Sequence, residues 1–400
     1  MKAVIKKSTA RGQVTVPASK SYAHRLLICA GLAEGESRIH RLDRCEDVLA
    51  SMDCLTAMGA QIHLTGATAL VRGCGGHPDR GTFPCRESGS TLRFLLPPAL
   101  LGGGGRFTGA PRLMERGIGV YRDLLSPRGI DFAQEACAIA VSGTLHSGSY
   151  RIVGDISSQF ISGMLFALPL CDSDSLLEVT EPFESRSYVS LTLDVLAQSG
   201  IRIETKNNEY RISGGQRYRP LDTTVEGDWS NAAFFCALNA LGGEVRIDGL
   251  RPDSRQGDRV CVQHLERLRT PNAVIDLSDC PDLAPVLFAA AAAMEGGCFT
   301  GTRRLAMKES NRAAVMAQEL AKLGVRVQCD ENSVQVFPGG LHAPCEPLDG
   351  HNDHRIVMAL SVLATRTGGV IEGAEAVAKS YPDFFEALQK AGVELTYGAE

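Results

Sequence analysis

A sixfold internal repeat is the feature that most limits what this chain can fold into. In each copy an apolar stretch ends at a glycine pair or an equivalent turn, and a short strand-like segment follows. The repeat explains many of the 42 glycines. The six strand-like segments are GESRIHRL from Gly35, GGGGRFTGAPRL from Gly102, DSLLEVTEPF from Asp174, GGEVRIDGL from Gly242, GGCFTGTRRL from Gly296 and GGVIEGAEAV from Gly368.

A second pattern follows each of these segments, a helix-period stretch that closes in glycine and leads into a β-branched strand. Asn272 stands near the place of glycine in the fourth copy, and asparagine also tolerates the left-handed helix cap. Each unit therefore predicts the order strand, helix, strand, helix, strand, strand, with a shortened fourth unit. The closing glycines of the other five copies are Gly59, Gly129, Gly200, Gly324 and Gly392.

The apolar stretches predict buried helices, because stretches such as AAFFCALNALGG and APVLFAAAAAMEGG are apolar on every side. Three such helices form one core, so six units divide into three plus three. The segment TTVEGDW, residues 223–229, opens the second group. We therefore expect two α/β domains, a hinge near residues 222–226 and a cleft between the domains.

Charge and cysteine content narrow the class of protein. The chain has 41 basic and 46 acidic residues, a net charge of −5, so it has no basic field for nucleic acid or an anionic membrane. The 13 cysteines are odd in number and no two lie closer than Cys45 and Cys54, which indicates reduced thiols. The first residues, MKAVIKK, do not show the apolar stretch that a signal peptide requires. The longest apolar run, Val286 to Met294, is shorter than the ~20 residues of a membrane span. We therefore expect a cytoplasmic protein.

Several basic residues stand where a helix start disfavours them. The predicted buried helices begin near SKSYAHR, ESGSTLR, DISSQF, DWSNAAF, DCPDLAP and NDHRIVM, and each start has polar residues suited to capping. A cation in the first turn opposes the helix dipole, so we expect a ligand anion to compensate it. The cations concerned are Lys20, Arg25, Arg93 and Arg355.

Further cations recur in the turns after the strand-like segments. They are Arg112, Arg116, Arg303, Arg304, Lys308, Arg312 and Lys379. Asp282 and Glu309 lie in the fifth unit, and two interpretations stay open for them: ionised ion-pair partners, or groups that transfer protons. HNDH at His351 to His354 has no second cluster with metal-ligand spacing, so we interpret it as a helix cap and expect no metal site. No nucleotide-binding glycine motif occurs, and we expect no cofactor.

Nine motifs in order resemble the 5-enolpyruvylshikimate-3-phosphate synthase (3-phosphoshikimate 1-carboxyvinyltransferase) family. The resemblance extends from the first strand to the final helix. The motifs are PASKSYAHR at Pro17 to Arg25, GSTLR at Gly89 to Arg93, ERGIG at Glu115 to Gly119, DISSQF at Asp155 to Phe160, SRSY at Ser185 to Tyr188, PDLAP at Pro281 to Pro285, KESNR at Lys308 to Arg312, NDHR at Asn352 to Arg355 and AKSYPDFF at Ala378 to Phe385.

The resemblance implies an α/β (α+β) fold of two similar domains, each of three repeated βαβαββ units packed around buried helices, the inside-out barrel-like fold of enolpyruvyl transferases. It also implies that the first residues return to the carboxy-terminal domain. We therefore expect an amino-terminal domain over residues 14–224 that mainly binds shikimate 3-phosphate. Residues 1–13 with 225–400 would form the domain that binds phosphoenolpyruvate and carries acid and base residues. We also expect a monomer.

The activity implied by the resemblance is transfer of the enolpyruvyl group of phosphoenolpyruvate to the 5-hydroxyl of shikimate 3-phosphate, with release of phosphate. Asp282, Glu309 and Lys20 would be catalytic. Shikimate 3-phosphate would be held by Lys20, Ser21, Arg25, Ser157, Ser158, Gln159, Ser185, Tyr188, Asp282, Arg304 and Lys308. Phosphoenolpyruvate would be held by Lys20, Gly89, Arg116, Gln159, Arg312, Arg355 and Lys379.

Four positions depart from the family pattern. Two alternative functions are a related transferase and a non-catalytic anion sensor. Glu87, Phe94, Arg304 and Asn311 replace residues common in the family. The related transferase that acts on UDP-N-acetylglucosamine has asparagine after its lysine and a reactive cysteine, whereas Ser21 follows Lys20 here and residues 106–119 contain no cysteine. A non-catalytic anion sensor is disfavoured because Lys20, Asp282 and Glu309 are all present.

Overall fold

Helices and strands alternate along residues 1–398, the part of the chain that the computed structural model describes. The helices are α1 (Lys20–Leu32), α2 (Glu46–Ala57), α3 (Gly89–Ala99), α4 (Pro111–Arg116), α5 (Gly119–Leu125), α6 (Ser158–Ala167), α7 (Arg186–Gln198), α8 (Trp229–Ala240), α9 (Cys261–Arg267), α10 (Ala284–Ala292), α11 (Arg312–Lys322), α12 (His354–Thr367) and α13 (Phe384–Lys390).

The strands form six small sheets. They are β1 (Lys2–Ile5), β2 (Arg11–Thr15), β3 (Glu36–His40), β4 (Gln61–Thr65), β5 (Thr68–Arg72), β6 (Thr82–Arg86), β7 (Gly104–Gly109), β8 (Asp131–Glu135), β9 (Ala138–Ser142), β10 (Ser149–Val153), β11 (Ser175–Thr180), β12 (Ile203–Lys206), β13 (Glu209–Ile212), β14 (Asp222–Thr224), β15 (Glu244–Asp248), β16 (Val274–Asp276), β17 (Gly297–Thr300), β18 (Val327–Cys329), β19 (Ser333–Val336), β20 (Leu348–Asp349), β21 (Gly369–Glu372) and β22 (Leu395–Gly398).

One of two structural units comprises Ala18–Glu226 and contains three four-stranded sheets. Their strand orders are β14-β3-β5-β4, β6-β7-β9-β8 and β10-β11-β13-β12. The first two strands of each sheet are parallel, and the last two form an antiparallel hairpin. This is the predicted βαβαββ order, except that β14, at the end of the unit, supplies the first strand of the first sheet.

The other unit comprises Met1–Pro17 together with the chain from Gly227 onward. It contains four-stranded sheets in the orders β16-β17-β19-β18 and β20-β21-β1-β22, and a two-stranded sheet of β15 and β2. The amino-terminal strand β1 lies antiparallel between β21 and β22, where it completes the sixth repeat. The fourth repeat is shorter than the others, as predicted. Its sheet has no hairpin, contrary to the predicted order, and β2 pairs in parallel with β15.

Six helices form the interiors of the units, α1, α3 and α6 in one and α8, α10 and α12 in the other. All nine residues of α10 are buried, as are eleven of the thirteen in α1. Helices α3 and α6 approach closely at Gly163, where an added Cβ would lie 2.3 Å from the Arg93 carbonyl oxygen and 2.0 Å from the Tyr121 Oη. Burial of helices that are apolar on every side confirms the prediction from the repeat.

Side-chain caps begin five of the six buried helices. Ser19, Ser88, Ser157, Asp228 and Asp353 each accept a hydrogen bond from a backbone N–H in the first turn. The same prediction is wrong for α10, which has no side-chain cap. A 3₁₀ turn, Pro281–Leu283, leads into it instead and places Asp282 ahead of the helix.

Two expectations from composition concern membrane spans and disulfide bonds. Among residues 1–398 no helix is both long enough and apolar enough to cross a membrane. All thirteen cysteines are free thiols.

Candidate active site

The first helix of the Ala18–Glu226 unit begins with a lysine that contacts a carboxylate. Lys20 is the first residue of α1, and its Nζ lies 2.8 Å from Oδ2 of Asp47 in the first turn of α2. The side chains are 15% and 12% exposed, respectively, so water screens the ion pair only partly. Sequence reasoning missed Asp47, because it lies in the second helix of its repeat and not at the start of a buried helix.

Two guanidinium groups flank the start of α3. A Cβ added at Gly89 would lie 3.1 Å from Nη2 of Arg116 and 3.2 Å from Nη1 of Arg93. Arg93 donates to Oε1 of Gln159 at 2.7 Å, and the Gln159 amide donates to Oγ of Ser90 at 2.9 Å. The structure therefore brings together Gly89, Arg116 and Gln159, three of the residues that the motifs singled out. With Lys20, Asp47 and Arg93 they are called the Lys20 cluster below.

Arg25 holds α1 against α7. Its Nε donates to Oγ1 of Thr192 at 2.8 Å, and its Nη1 and Nη2 donate to the carbonyl oxygens of Ser21 and Tyr188. The side chain also packs over the ring of Phe94, 4.9 Å from its centroid. Burial lowers the pKa of Arg25 to about 10. These contacts fix the start of α7, the segment that carries Ser185 and Tyr188.

The predicted serines lie at helix starts. Ser157 caps α6 by accepting from the backbone N–H of Gln159, and Ser158 is the first residue of that helix. Ser185 precedes α7 in a left-handed conformation with φ of 56° and is buried. Backbone strain of this kind is common where a site requires one side-chain direction.

In the other unit, a buried arginine binds three carboxylates. Arg312 donates from Nε to Asp353 at 2.9 Å, from Nη1 to Asp282 at 2.9 Å and from Nη2 to Glu309 at 2.7 Å. Arg312 is 1% exposed and Asp353 is 0% exposed. Burial alone would lower the pKa of Arg312, but the three carboxylates raise it well above its ordinary value. Arg312 is therefore a permanent cation at the centre of the group.

Asp282 contacts three cations of this group. Besides Arg312, its oxygens meet Nζ of Lys308 at 3.1 Å and Nη2 of Arg355 at 3.2 Å. Burial, followed by the charge of Arg312, lowers the pKa of Lys308, although Asp282 opposes the shift. The Arg312 cluster is defined here as Asp282, Lys308, Glu309, Arg312, Asp353 and Arg355. Three cations thus surround the one carboxylate of Asp282.

The remaining predicted residues lie beside the Arg312 cluster. Lys379 donates from Nζ to the carbonyl oxygen of Asn352 at 2.6 Å, next to the cap of α12. Arg304 is 4% exposed and donates to the carbonyl oxygen of Ser278. Asp353 and Ser230 were not predicted as site residues, yet Asp353 accepts from Arg312 and Ser310, and Ser230 accepts from Arg355.

The expectation that helix-start cations require a ligand anion needs correction. The protein itself supplies a carboxylate to Lys20 and to Arg355, namely Asp47 and Asp282. Arg25 and Arg93 donate to neutral oxygens of the protein. Charge balance within the fold thus accounts for part of what was assigned to a ligand, and a bound anion would share these cations with protein groups.

Two of the four departures from the family pattern have structural explanations. Phe94 is buried and packs edge-on against Phe166, with 5.6 Å between ring centroids, so it belongs to the core of its unit. Asn311 caps α11 by accepting from the backbone N–H of Ala314. Neither substitution removes a cation from the two clusters.

Comparison with known protein families gives a match over nearly the whole chain. Residues 4–388 match the family model described as EPSP synthase (3-phosphoshikimate 1-carboxyvinyltransferase). A 3-phosphoshikimate 1-carboxyvinyltransferase of Clostridium kluyveri is 38% identical over 408 residues, covering 96% of this chain and 96% of that protein. One from Clostridium perfringens is 36% identical over 424 residues, covering 98% of each chain.

Solved structures show the same fold. An EPSP synthase from Acinetobacter baumannii superposes with a TM-score of 0.80 at 23% sequence identity, covering 99% of this chain and 100% of that one. The enolpyruvyl transferase NikO from Streptomyces tendae gives a TM-score of 0.75 at 18% identity, with 99% and 98% coverage. At these identities the likeness concerns the fold, and it confirms the predicted architecture of repeated mixed helix and strand units.

Proposed function

The chain belongs to the EPSP synthase family, and from this premise we propose that it transfers the enolpyruvyl group of phosphoenolpyruvate to the 5-hydroxyl of shikimate 3-phosphate and releases phosphate. The observation that best supports this proposal is the environment of Asp282. Its carboxylate contacts Lys308, Arg312 and Arg355, so a proton acceptor lies directly among cations suited to anionic substrates.

Binding of the two substrates requires many charge-assisted contacts, because together they carry two phosphates and two carboxylates. We assign phosphoenolpyruvate to Lys20, Gly89, Arg116 and Gln159 of the Lys20 cluster and to Arg312, Arg355 and Lys379. Planar guanidinium groups bind carboxylate and phosphate oxygens in pairs, which suits the arginines flanking Gly89. Shikimate 3-phosphate is assigned to Lys20, Ser21, Arg25, Ser157, Ser158, Gln159, Ser185, Tyr188, Asp282, Arg304 and Lys308.

The first chemical step is addition. The 5-hydroxyl oxygen forms a bond to C2 of phosphoenolpyruvate while Asp282 takes the hydroxyl proton, and C3 gains a proton from Lys20 or Glu309. Both halves of the step are proton transfers, which positioned acids and bases typically accelerate by about 10² to 10⁴ each. The product is a tetrahedral ketal that still carries the phosphate.

The second step is elimination. C3 loses a proton to the group that donated it, the C2–O bond to phosphate breaks, and the enol ether forms. The leaving phosphate takes up the proton that Asp282 accepted, which restores the Asp282 carboxylate. The cations that bound the phosphate of phosphoenolpyruvate also stabilise the charge that develops on the leaving group. The group that donates the proton to C3 must therefore exist in both protonation states during one cycle. Where that group is Lys20, Asp47 holds its Nζ in place.

Phosphate release tests the proposal. The protein is mixed with phosphoenolpyruvate and either shikimate 3-phosphate or UDP-N-acetylglucosamine, and inorganic phosphate is measured over time. We expect release only with shikimate 3-phosphate. Release only with UDP-N-acetylglucosamine would assign the chain to the related transferase activity, and no release with either acceptor would favour a non-catalytic anion-binding protein.

A cytoplasmic location and a monomeric state belong to the same proposal. The thirteen free cysteines support a reducing compartment, since thiols persist there. Sedimentation of the purified protein tests the monomer, and a mass of twice 42.8 kDa would contradict it.

A further inference from the structure

A buried histidine lies one helical turn after Lys20. His24 is 1% exposed, and the proposed chemistry does not use it. Burial, together with the charges of Lys20 and Arg25, lowers its pKa well below the ordinary value of 6.5. The imidazole is therefore neutral in the pH range where the enzyme would work, and it adds no positive charge next to Lys20.

A chain of side-chain hydrogen bonds runs from His24 through the interior of the Ala18–Glu226 unit. Nδ1 of His24 lies 2.7 Å from Oγ of Ser51, which lies 2.8 Å from Oγ1 of Thr91. Thr91 in turn lies 2.7 Å from Oγ of Ser88 and 3.4 Å from the carbonyl oxygen of Asp47. Helices α1, α2 and α3 are thus joined by buried polar groups.

Each joined helix carries one member of the Lys20 cluster at its start. Lys20 begins α1, Asp47 lies in the first turn of α2, and Gly89 follows the Ser88 cap of α3. Side chains in a buried polar network have few alternative partners, so the network fixes the distances between the elements it joins. The chain of hydrogen bonds therefore acts on the spacing between Lys20 and the start of α3.

The far side of the imidazole identifies its tautomer. Nε2 of His24 has no hydrogen-bond partner among residues 1–398, and the ring faces Phe94 at 83° with 6.4 Å between ring centroids. A buried N–H without an acceptor is rarer than an acceptor without a donor. The proton accordingly belongs on Nδ1, which donates to Ser51, and Ser51 donates to Thr91.

We propose that His24 is a positioning residue, a neutral imidazole protonated at Nδ1 that sets the spacing between Lys20 and Gly89 and so the affinity for phosphoenolpyruvate. This inference rests on the proposed function. The competing interpretation is a histidine that only fills space in the core. A space-filling role predicts that an apolar side chain of similar size serves equally well, whereas a positioning role predicts that it does not.

Kinetic constants of four variants separate the two interpretations. His24→Leu removes the polar atoms, Ser51→Ala breaks the chain at its second member, and His24→Asn keeps a polar atom near the place of Nδ1. Ser361→Ala is the matched control, because Ser361 is equally buried but donates within its own helix to Val357. Thermal unfolding of all four shows whether each is folded.

We expect His24→Leu and Ser51→Ala to raise KM for phosphoenolpyruvate about tenfold, roughly the effect of one hydrogen bond. The dissociation constant of shikimate 3-phosphate should stay within about twofold, and His24→Asn and Ser361→Ala should resemble the wild type. An unchanged KM in His24→Leu, or an equal rise for both substrates, would overturn the positioning role. No turnover by the wild type would instead overturn the proposed function.

Nitrogen NMR of histidine side chains tests the tautomer without turnover. The chain has nine histidines, and the His24 signal is the one missing from His24→Asn. We expect a protonated Nδ1 and an unprotonated Nε2 that do not titrate between pH 6 and pH 9. The opposite tautomer, or titration within that range, would overturn the assignment.

Discussion

Nζ of Lys20 lies 2.8 Å from Oδ2 of Asp47, and the two residues come from the starts of adjacent helices. This ion pair holds the ammonium group of Lys20, which carries a proton, in a fixed position in the Ala18–Glu226 unit. Because both side chains are largely shielded from water, the pair orients Lys20 more strongly than a surface ion pair would.

Asp47→Asn should lower kcat by about 10- to 100-fold. The amide has the same shape but carries no charge to hold the Lys20 ammonium in place, so part of the ~10²- to 10⁴-fold acceleration by proton transfer is lost. Asp53→Asn is the control, since Asp53 lies on the same helix and pairs with Arg86 at the surface. Steady-state turnover with shikimate 3-phosphate measures both. Equal kcat values for the two variants would contradict an orienting role for Asp47.

Asp282→Asn should lower kcat by about 10² to 10⁴, because the amide does not accept the hydroxyl proton. Its oxygen still accepts hydrogen bonds, so the dissociation constant of shikimate 3-phosphate should change by less than about tenfold. Calorimetric titration and turnover provide the two numbers. Asp330→Asn, a change at an exposed aspartate, is the control, and survival of turnover in Asp282→Asn would refute the proton-acceptor role.

Gly89→Ala should raise KM for phosphoenolpyruvate about tenfold, since its methyl group would lie within 3.2 Å of the Arg93 and Arg116 guanidinium groups and displace them. Gly119→Ala is a closely matched control. Gly119 also begins a helix, and an added Cβ there would meet no atom within 4 Å. If both alanine variants have the same KM, the space above Gly89 is not used by the substrate.

The pH dependence of shikimate 3-phosphate binding should reflect the protonation state of Lys308. Burial lowers the pKa of its ammonium below the ordinary value of 10.5, so the lysine loses its proton, and its attraction for phosphate, at a lower pH than an exposed lysine does. The dissociation constant should therefore rise with pH above neutrality and below pH 10.5. Lys308→Arg remains protonated and should give a flatter profile; identical profiles for the two proteins would contradict this.

Asp353→Asn should reduce the free energy of unfolding by about 3 to 5 kcal/mol, because Arg312 would lose a fully buried charged partner. Denaturant unfolding measures the change. Glu135→Gln, which breaks the exposed ion pair between Arg106 and Glu135, should leave the unfolding midpoint nearly unchanged. Equal destabilisation by the two variants would show that the buried ion pair contributes no more to stability than the exposed one.

The repeat was enough to predict the buried helices and the order of elements, because local glycine and apolar patterns determine both. It did not show that β14 and β1 would complete sheets whose other strands are far away in sequence, since pairing of distant strands leaves no local signal. The absence of a side-chain cap on α10 was likewise hidden, because Asp279 and Asp282 both look like capping residues in sequence.

The site could be predicted to the level of residue types and motifs. Asp353 stands in a motif that the sequence analysis quoted, but its ion pair with Arg312 spans 41 positions and depends on the packing of α11 against α12. Asp47 lies outside all nine motifs, and only the position of α2 beside α1 reveals it. Ion pairs between residues that are far apart in sequence depend on tertiary packing, and the sequence alone did not predict them.

The most direct test of the central claim follows the labelled carbon of phosphoenolpyruvate and the released phosphate in one reaction. Phosphoenolpyruvate labelled with ¹³C at C2 is mixed with shikimate 3-phosphate and the protein in deuterated water, and the products are followed by NMR. Addition and elimination predict one enol ether on the 5-oxygen for each phosphate released, with deuterium in its methylene group. Phosphate accompanied by free pyruvate, without an enol ether, would contradict enolpyruvyl transfer.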